Sequence, residues 1–386
     1  MTPERGFDVE EFKSRVARAQ ARMAELGFDG LLVMTEPEIY YFTGFLTRFW
    51  QSPTRPWFVF VPASGAPVAV IPQIGVPLMA ETWITDIRTW ASPDLQDDGV
   101  SLLVATLAEF TVADGRIATP MGHETHLRMP LSDLPRLQKL LSPREIVPDV
   151  GLVRSLRMVK SEAEVAKIQT ACRIAGRAFE RLPNVATPGM PLADVFRRFQ
   201  MLCLEESADW VGYLAGGAGQ GGYADVIRPA SDQPLSDGDV LMLDTGVVWD
   251  GYYCDFDRNF AVGAVSPETE AAHARLIEAT AAGFEAARPG VRASDVFAAM
   301  DDVLTGGAAP DGGGRLGHGL GMQLTEWPSL MPGDDTILEA GMVLTLEPWV
   351  DTGAGRMLVH EENILVTAAG AEWLTRPSGP RLGRIG

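Results

Sequence analysis

Acidic residues that end two similar strands are the part of this sequence with the clearest chemistry. The segment GDVLMLD ends in Asp244, and the segment GMVLTLE ends in Glu347. In each segment an apolar run precedes the acid and predicts a buried strand. An ionised carboxylate without a counter-charge is strongly disfavoured in such a place. A divalent cation would supply that charge and several coordination positions, so the two strand ends predict a metal site.

Further ligands for the same site follow in the sequence. Asp255, in GYYCDFDRNF, follows the first strand, and Glu361, in VHEENILVT, follows the second. His318, in GHGLG, offers a nitrogen ligand, and the glycines on both sides of it permit close approach to a metal. Carboxylate-rich sites with one imidazole suit Mn(II), Fe(II), Co(II) or Zn(II). Four anionic groups overfill a site for one ion, so we expect two divalent ions, with manganese as the preferred candidate.

A degenerate internal repeat explains why the acids come in pairs. The segment TPGMPLADVF at residues 187–196 returns as RPGVRASDVF at residues 288–297, and GDVLMLD returns as GMVLTLE at nearly the same offset. A stacked array would need more copies at a shorter period. The repeat therefore predicts two similar halves that face each other across a pseudo-twofold axis, with the four carboxylates and His318 at one pocket.

The segment before these motifs is typical of a compact α/β unit. Apolar residues at helical spacing predict a helix from Asp8 to Leu26, with Asp8 as its N-cap. Strand-like runs follow at residues 30–34, 56–62 and 67–72. The last two runs are joined by the turn-like ASGA, which predicts a hairpin. A helix followed by strands indicates that the helix packs on a sheet.

The boundary between two domains is predicted where prolines interrupt the pattern. The stretch LLSPREIVPDVG breaks regular structure. Ser161 and Glu164 then have capping-box spacing and predict the start of a long helix. A chain of 386 residues exceeds what one hydrophobic core usually organises. We therefore predict one domain at residues 1–150 and a second at residues 151–386.

Composition excludes several classes of function. The formal net charge is −19 and the basic residues are dispersed, so a phosphate backbone would be repelled and we expect no nucleic-acid partner. No apolar run approaches the roughly 20 residues that span a bilayer, so we expect no membrane insertion. The start MTPERGFDVEEFKSR lacks the apolar stretch of a secretory signal, and three widely spaced cysteines fit a reducing compartment. We expect a soluble, cytoplasmic protein.

The chemistry-bearing motifs resemble a known family. DTGVVWDGYYCDFDR, GHGLG, LTLEP and HEEN occur in the order and spacing of the pita-bread metallopeptidases, family M24, which include methionine aminopeptidase, Xaa-Pro aminopeptidase, prolidase and the non-peptidase creatinase. The resemblance covers about Arg157 to Thr375, and IYYFTGF at residues 39–45 is similar to the creatinase/prolidase N-terminal domain. It implies an α/β (α+β) fold: a creatinase-like α/β domain, then a pseudo-twofold pita-bread domain with a curved antiparallel sheet and outer helices.

The resemblance also implies a role for each acid. Asp244 would hold one ion, Asp255 and Glu361 would bridge the pair, and His318 with Glu347 would hold the other. Glu347 would also be the catalytic residue that deprotonates the metal-bridging water, whose pKa the ions have lowered. A homodimer is expected from the same resemblance, and symmetric pairing is the commonest oligomer.

The sequence departs from the peptidase pattern at two positions. In family peptidases a second histidine follows the ligand histidine at seven residues and stabilises the oxyanion, but Thr325 stands there. Another histidine normally lies shortly before the GD strand, but QGGYADVIRPASDQPLSDGD contains none. Metal chemistry therefore resembles the family, whereas the groups that act on the peptide bond differ.

Candidate substrate contacts are taken from these departures and from aromatic residues. Thr325 replaces the missing histidine, and Tyr223 and Asp225 follow the glycine-rich GGAGQGG, which predicts a mobile loop rather than a nucleotide site. In relatives the N-terminal domain of one subunit borders the active site of its neighbour. That resemblance implies that Trp50 or Trp57 could line a cage for a cationic or prolyl group.

Three other motifs have ordinary structural interpretations. HETH, at residues 123–126, lacks the helical histidine pair of zinc proteases, so chance explains it. Strand alternation turns His360 to the face opposite Glu361. Arg258 is expected to hold acids of the metal site rather than to touch substrate.

The sequence favours a dinuclear-metal hydrolase similar to Xaa-Pro dipeptidase or aminopeptidase, acting through a metal-bound hydroxide on a short peptide or small zwitterionic substrate. Because both peptidase histidines are absent, two alternatives stay open. One is a metal-dependent lyase or C–N hydrolase of a small osmolyte, since HGLGMQLTEWP is similar to the branch that cleaves dimethylsulfoniopropionate. In that branch an acid precedes the EWP-like phrase, and Thr325 replaces it. The other alternative is a binding protein that kept the fold without catalysis.

Overall fold

The chain forms two compact units in the computed structural model, which describes residues 2–52, 55–307 and 314–386. The first unit comprises residues 4–157, and the second comprises residues 158–386 together with residues 2–3 of the described chain. The division between them lies within a short helix beyond the residue-150 boundary that we predict from the sequence. Each described helix is too short or too polar to cross a bilayer.

The first unit is built on a mixed sheet. Its strands are β1 Gly30–Val33, β2 Phe58–Pro62, β3 Val68–Pro72, β4 Asp86–Trp90, β5 Arg116–Thr119 and β6 Glu145–Pro148, in the spatial order β4-β3-β2-β1-β5-β6. Its helices are α1 Val9–Leu26, α2 Glu36–Thr43, α3 Val76–Met79, α4 Val100–Phe110, α5 Asp133–Leu141 and α6 Leu152–Met158, the last of which crosses the border. Short 3-10 turns lie at Phe49–Gln51 and Gln73–Gly75.

The N-terminal helix and hairpin form as the sequence predicts. Helix α1 begins directly after Asp8, although the Asp8 side chain makes no capping hydrogen bond. Its apolar face is buried at Phe12, Val16, Ala19 and Met23. Strands β2 and β3 pair antiparallel on either side of the turn at residues 63–66. Burial of this apolar face stabilises the packing of α1 within the first unit, because apolar side chains are removed from water.

The expected break at LLSPREIVPDVG is wrong. Residues Glu145–Pro148 form β6, which pairs in parallel with β5, Ile117 lying opposite Ile146. Strand β6 is the last strand of the sheet order. An edge strand tolerates proline at its end, because a missing N–H there removes no bond to a further strand.

The second unit contains two antiparallel sheets. One has β7 Trp210–Gln220, β8 Asp239–Trp249, β9 Tyr252–Tyr253, β10 Phe256–Val262 and β18 Gly383–Ile385, in the order β18-β10-β8-β7 with β9 paired to β8; only β18 joins in parallel. The other has β11 His318–Gly319, β12 Glu326–Ser329, β13 Val343–Leu346, β16 Glu362–Thr367 and β17 Gly370–Trp373, in the order β12-β11-β13-β16-β17. Strands β14 Trp349–Gly353 and β15 Arg356–Val359 form a separate hairpin.

Helices accompany each sheet of the second unit. They are α7 Glu162–Arg181, α8 Leu192–Glu205, α9 Pro267–Ala286 and α10 Ala293–Thr305, with a 3-10 turn at Leu182–Asn184. Helix α7 starts with the predicted capping box: Ser161 accepts the N–H of Glu164, and the Glu164 side chain accepts the N–H of Ser161. A core of apolar residues from α9, α10, β13 and β16 fills the space between helices and sheet.

The internal repeat is visible in matching local contacts. The Gly189 N–H donates to the Leu235 carbonyl at 2.7 Å before α8, and the Gly290 N–H donates to the Leu338 carbonyl at 2.9 Å before α10. Both glycines have positive φ, +84° and +89°, a conformation that glycine adopts without strain. The same turn therefore begins the same helix in each half.

The predicted mobile loop at GGAGQGG is also wrong. Gly216, Gly217 and Gly219 lie within β7, which pairs with β8 along its whole length. A Cβ at Gly216 would come within 2.2 Å of the Met242 carbonyl oxygen. The glycines are required because the backbones approach closely, and a glycine-rich run in a strand can indicate close packing as well as flexibility.

Candidate metal centre

Strand pairing brings the two acids of each half together. In the first half, Asp244 lies in β8 directly opposite Asp257 of β10, and Asp255 precedes β10. In the second half, β13 pairs with β16, and Glu347 follows the first of these strands while Glu361 precedes the second. Antiparallel neighbours place the end of one strand beside the start of the next. Each half therefore presents two carboxylates at one end of its sheet.

His318 lies on the strand next to β13. Gly319 pairs with Leu344 of β13, and the His318 N–H donates to Thr345 Oγ1 at 3.0 Å. The Glu347 N–H donates to the Leu316 carbonyl at 3.0 Å. These backbone contacts fix the histidine and the glutamate relative to each other.

The side chains of both halves converge. One ligand atom each from Asp255, His318 and Glu361 lies within 4.8 Å of the other two, and all three residues are buried. His318 Nε2 is 3.5 Å from Asp255 Oδ2 and 3.9 Å from Glu347 Oε1. Burial raises the pKa values of Asp255 and Glu361 most, and the charge of Asp244 adds to both shifts. The printed distances thus bring Asp255, His318, Glu347 and Glu361 together. Asp244 lies in the strand that pairs with β10, and the role of all five as metal ligands stays a prediction.

The His318 ring presents a lone pair to these acids. Its Nδ1 is 2.8 Å from the Gly319 carbonyl oxygen, which can only accept, so Nδ1 carries the proton. Burial and the nearby Arg315 charge lower the His318 pKa to about 4, so the ring is neutral at pH 7. Nε2 then has no proton and faces carboxylate oxygen. A cation between these atoms would turn repulsion into coordination.

The acids make the pocket strongly anionic when ionised. Burial, followed by the charges of neighbouring acids, raises the pKa values of Asp244, Asp255 and Glu361 well above their ordinary values. Burial raises the pKa of Glu347 to about 7, although Arg315 lowers it in part. Four carboxylates this close cannot all ionise cheaply without a counter-charge.

The residues fit a divalent ion. Asp244 Oδ1 and Glu361 Oε1 are buried and have no hydrogen-bond partner among the described residues, whereas buried polar atoms normally have one. Carboxylate oxygens and a neutral imidazole are ligands that Mn(II), Fe(II), Co(II) and Zn(II) accept. The carboxylate oxygens that lack a hydrogen-bond partner and the types of the surrounding donor atoms both favour a divalent metal ion.

Tyr213 and Arg315 also lie near these acids, although their sequence positions do not indicate it. Tyr213 of β7 is half-buried, and burial together with the charges of Asp244 and Asp255 raises its pKa, so its hydroxyl keeps its proton. Arg315 Nε lies 3.7 Å from Glu347 Oε1, with 32% of the arginine side chain exposed. Neither residue belongs to a spaced motif, and strand register alone could have indicated Tyr213.

The predicted substrate residues have mixed surroundings. Thr325 is partly exposed at the bend before β12. Tyr223 is only 1% exposed, and its hydroxyl donates to Asn259 Oδ1 at 3.1 Å and accepts the Val359 N–H at 2.6 Å. Asp225 Oδ2 accepts from Arg228 at 2.9 Å, and its Oδ1 is buried with no hydrogen-bond partner in the described part of the chain. The Tyr223 hydroxyl makes hydrogen bonds within the protein, so we assign it a structural role. Substrate roles for Thr325 and Asp225 stay predictions.

The two tryptophans lie together in the first unit. Their ring centroids are 5.7 Å apart, and Arg128 stacks on Trp50 at 4.9 Å. Trp57 is 2% exposed and packs on Phe45, so it has almost no surface to offer a ligand. Trp50 is partly exposed and is the member of the pair that can still contact one.

His360 and Arg258 take up structural positions. His360 Nδ1 is 3.3 Å from Asp257 Oδ1, and its Nε2 is 3.2 Å from Glu362 Oε1. Burial opposes the charged form, but these two carboxylates raise the pKa of His360. Arg258 contacts Glu362 Oε2 at 2.9 Å. His126 and His123 of HETH are exposed, and the described metal-competent cluster does not include them.

Comparison with known families agrees with this geometry. Residues 166–368 match metallopeptidase family M24, and residues 15–159 match the creatinase/prolidase N-terminal domain. The chain belongs to metallopeptidase family M24 and is a metal-dependent hydrolase of the pita-bread fold with a creatinase-type N-terminal domain.

Similar proteins match along almost the whole chain. A probable dipeptidase PepE of Mycobacterium tuberculosis is 30% identical over 373 residues, which cover 95% of each chain. An Xaa-Pro dipeptidase of Pyrococcus horikoshii is 26% identical, covering 92% of this chain and 94% of the relative. The crystal structure of dipeptidase PepE from Mycobacterium ulcerans superposes with a TM-score of 0.85 at 29% identity, covering 98% and 99% of the two chains.

Proposed function

We propose that this protein is a dinuclear-metal dipeptidase of the Xaa-Pro type that hydrolyses a short peptide or a small zwitterionic substrate. The observation that carries the proposal is the convergence of a deprotonated imidazole nitrogen and carboxylate oxygens on one buried pocket, 3.5 Å apart at His318 and Asp255. Relatives named as dipeptidases support the peptide substrate.

Asp244, Asp255, His318, Glu347 and Glu361 would hold the ions. Two ions rather than one would balance four carboxylates, and we propose manganese as the physiological metal. Bound divalent ions supply Lewis-acid activation of water and polarisation of a substrate carbonyl. The remaining steps fall to side chains of the chain itself.

Glu347 is the proposed proton acceptor. Its side chain keeps 23% of its surface exposed, so it can reach a water molecule and a substrate. A carboxylate at this position can accept a proton from water and later return it. Proton transfer would run from the attacking water to a Glu347 oxygen and then to the leaving amine.

Tyr213 and Arg315 have complementary roles in this proposal. The Tyr213 hydroxyl keeps its proton and can donate it to the developing oxyanion, a task that the family assigns to histidines absent here. The Arg315 guanidinium is partly exposed beside Glu347 and can pair with the carboxylate of a zwitterionic substrate. Thr325 replaces a family histidine and would leave more room at that side of the site.

Assembly and compartment are further parts of the proposal. We keep the expectation of a homodimer, which family resemblance supports, and of a cytoplasmic location. The three cysteines, Cys172, Cys203 and Cys254, are free and buried, which suits a reducing compartment.

Turnover of defined substrates tests the proposed activity. Manganese-loaded protein is assayed with Gly-Pro and Ala-Pro, with Ala-Ala as a non-prolyl control, and with a panel of sulfonium and betaine osmolytes. We expect hydrolysis of the prolyl dipeptides and no turnover by Glu347→Gln, which keeps the side-chain shape but cannot accept the proton.

Other results would contradict the proposal in distinct ways. Turnover of an osmolyte but of no dipeptide would replace it with the lyase or C–N hydrolase alternative. Retention of no divalent ion and no turnover of any substrate would favour the binding-protein alternative. Equal rates for Glu347→Gln and wild type would remove Glu347 from the chemistry.

A further inference from the structure

Two buried side chains cross between the halves of the second unit. Asp257 stands two residues after Asp255, and Asn363 stands two residues after Glu361. Their exposed fractions are 1% and 0%. Each lies on the strand that its acid precedes, β10 in the first half and β16 in the second, so the two are equivalent under the pseudo-twofold relation.

Side chains of the first half form hydrogen bonds with the backbone of Glu361 in the second half. Asp257 Oδ1 accepts the Glu361 N–H at 2.8 Å, and Arg258 Nη1 donates to the Glu361 carbonyl at 3.2 Å. Asn259 Nδ2 donates to the other Asp257 oxygen at 3.1 Å, which fixes the carboxylate. Both polar groups of the Glu361 backbone are therefore bound by consecutive residues of β10.

The second half returns the contact with one side chain. Asn363 Oδ1 accepts the Asp255 N–H at 3.0 Å, and Asn363 Nδ2 donates to the Asp255 carbonyl. The Cys172 thiol also lies 3.3 Å from Asn363 Oδ1. An amide is both donor and acceptor, so Asn363 alone does for Asp255 what Asp257 and Arg258 together do for Glu361.

We propose that Asp257, Arg258 and Asn363 are positioning residues that form a cross-half clasp, which holds the main chains of Asp255 and Glu361 at the spacing a metal pair requires. The clasp does not touch the proposed ions. It acts through the backbone of the two acids that are expected to bridge them, and each half fixes the bridging acid of the other.

The electrostatics of the pocket explain why such a clasp is needed. Asp255 and Glu361 repel each other when ionised, and the strands that follow them, β10 and β16, belong to different sheets. Without a link between β10 and β16 at this point, the halves could relieve the repulsion by moving apart. Asp257 brings another negative charge near the acids. Its Oδ1 accepts the Glu361 N–H at 2.8 Å and also lies 3.3 Å from His360 Nδ1, so the comparison of alanine with asparagine at this position is needed to separate the hydrogen bond from the charge.

This inference rests on the proposed metal site, and manganese titration separates the two. Free Mn(II) is followed by electron paramagnetic resonance during titration of the full-length protein at fixed pH. The variants are Asn363→Ala, Asp257→Ala and Asp257→Asn. The control is Val296→Ala, which removes buried apolar volume from α10 of the same unit.

We expect Asn363→Ala and Asp257→Ala to weaken manganese binding by about 10-fold to 100-fold, the range seen when a partner that orients a metal ligand is removed. Asp257→Asn keeps an oxygen for the Glu361 N–H and should bind close to wild type. Val296→Ala should lower the melting temperature and leave the affinity unchanged. If Asn363→Ala does not fold, Asn363→Ser, which keeps one of the two hydrogen bonds, should bind more weakly than wild type.

Wild-type affinity in the folded Asn363 and Asp257→Ala variants would overturn the clasp while leaving the metal site intact. Binding by Asp257→Asn as weak as that by Asp257→Ala would also overturn it, because charge would then be the cause. A wild-type protein that binds no Mn(II) would overturn both the clasp and the proposed metal site.

Discussion

Protonation of the four acids couples pH to the stability of the metal-free protein. Burial raises the pKa of Glu347 to about 7, from an ordinary value of 4.5. Between these values the folded protein binds more protons than the unfolded chain, so the free energy of unfolding falls as pH rises. We predict that the melting temperature of chelator-treated protein falls as pH rises through this window.

Two controls isolate this effect. Glu347→Gln removes one titrating group, so the melting temperature of this variant should decrease less as pH rises. Excess manganese should abolish the decrease, because the ionised acids then gain a counter-charge. The prediction would be contradicted if the melting temperature of chelator-treated wild type fell no more steeply across this window than that of Glu347→Gln.

Tyr213 provides a second prediction at the scale of single residues. Tyr213→Phe removes a protonated hydroxyl beside the acids and keeps the ring. We expect the turnover number to fall by about 10-fold to 1,000-fold, as when one oxyanion donor is lost, with manganese content unchanged. Steady-state kinetics and metal analysis of the same preparation measure both. Unchanged turnover would exclude the hydroxyl from the reaction.

The sequence identified residues only where type and spacing reinforce each other. Asp244 and Glu347 end matching apolar strands, so their chemistry follows from burial. Tyr213 is a single residue in an ordinary strand. Asn363 lies in HEEN, two residues after Glu361, but the sequence does not indicate that its side chain contacts Asp255. Both positions become visible only from the strand pairing of β7 with β8 and of β16 with β13.

At the scale of elements, the two wrong predictions have one cause. By local propensity, the prolines of LLSPREIVPDVG and the glycines of GGAGQGG both predict irregular chain. In β6 the proline ends an edge strand, and in β7 the glycines allow β8 to approach closely. Local propensity does not reveal whether a neighbouring strand needs the space.

Gly216 provides a test of the close approach between β7 and β8. Gly216→Ala would place a Cβ 2.2 Å from the Met242 carbonyl oxygen, next to the strand residue Leu243. Backbone must shift to relieve this, and we expect a loss of about 1–3 kcal/mol in the free energy of unfolding. Urea denaturation measures it.

Gly176→Ala is the matched control for Gly216→Ala. Gly176 lies inside α7, and a Cβ there meets no heavy atom within 4 Å. Alanine should be neutral or stabilise the helix by up to about 1 kcal/mol. Equal stability of the two variants would mean that the close approach of β7 and β8 is not needed.

At the scale of the whole molecule, the internal repeat was the most informative sequence feature. It predicted paired acids, and the structure has matching turns at Gly189 and Gly290 before α8 and α10. It did not predict how the halves are joined, because the Asp257 and Asn363 contacts differ in chemistry although they correspond in position. The sequence repeat therefore indicates that the acids of the two halves meet. The contacts of Asp257 and Asn363 that join the halves are visible only in the structure.

Anomalous diffraction from manganese-loaded crystals would locate the proposed metal pair. Asp255→Asn, which weakens a proposed bridging ligand while keeping its shape, serves as the comparison. We expect two anomalous peaks in the wild type, each within about 2.5 Å of oxygen or nitrogen atoms from the five side chains, and weaker peaks in the variant. Crystals of active protein with no peak at this pocket, or with peaks bound elsewhere, would contradict it.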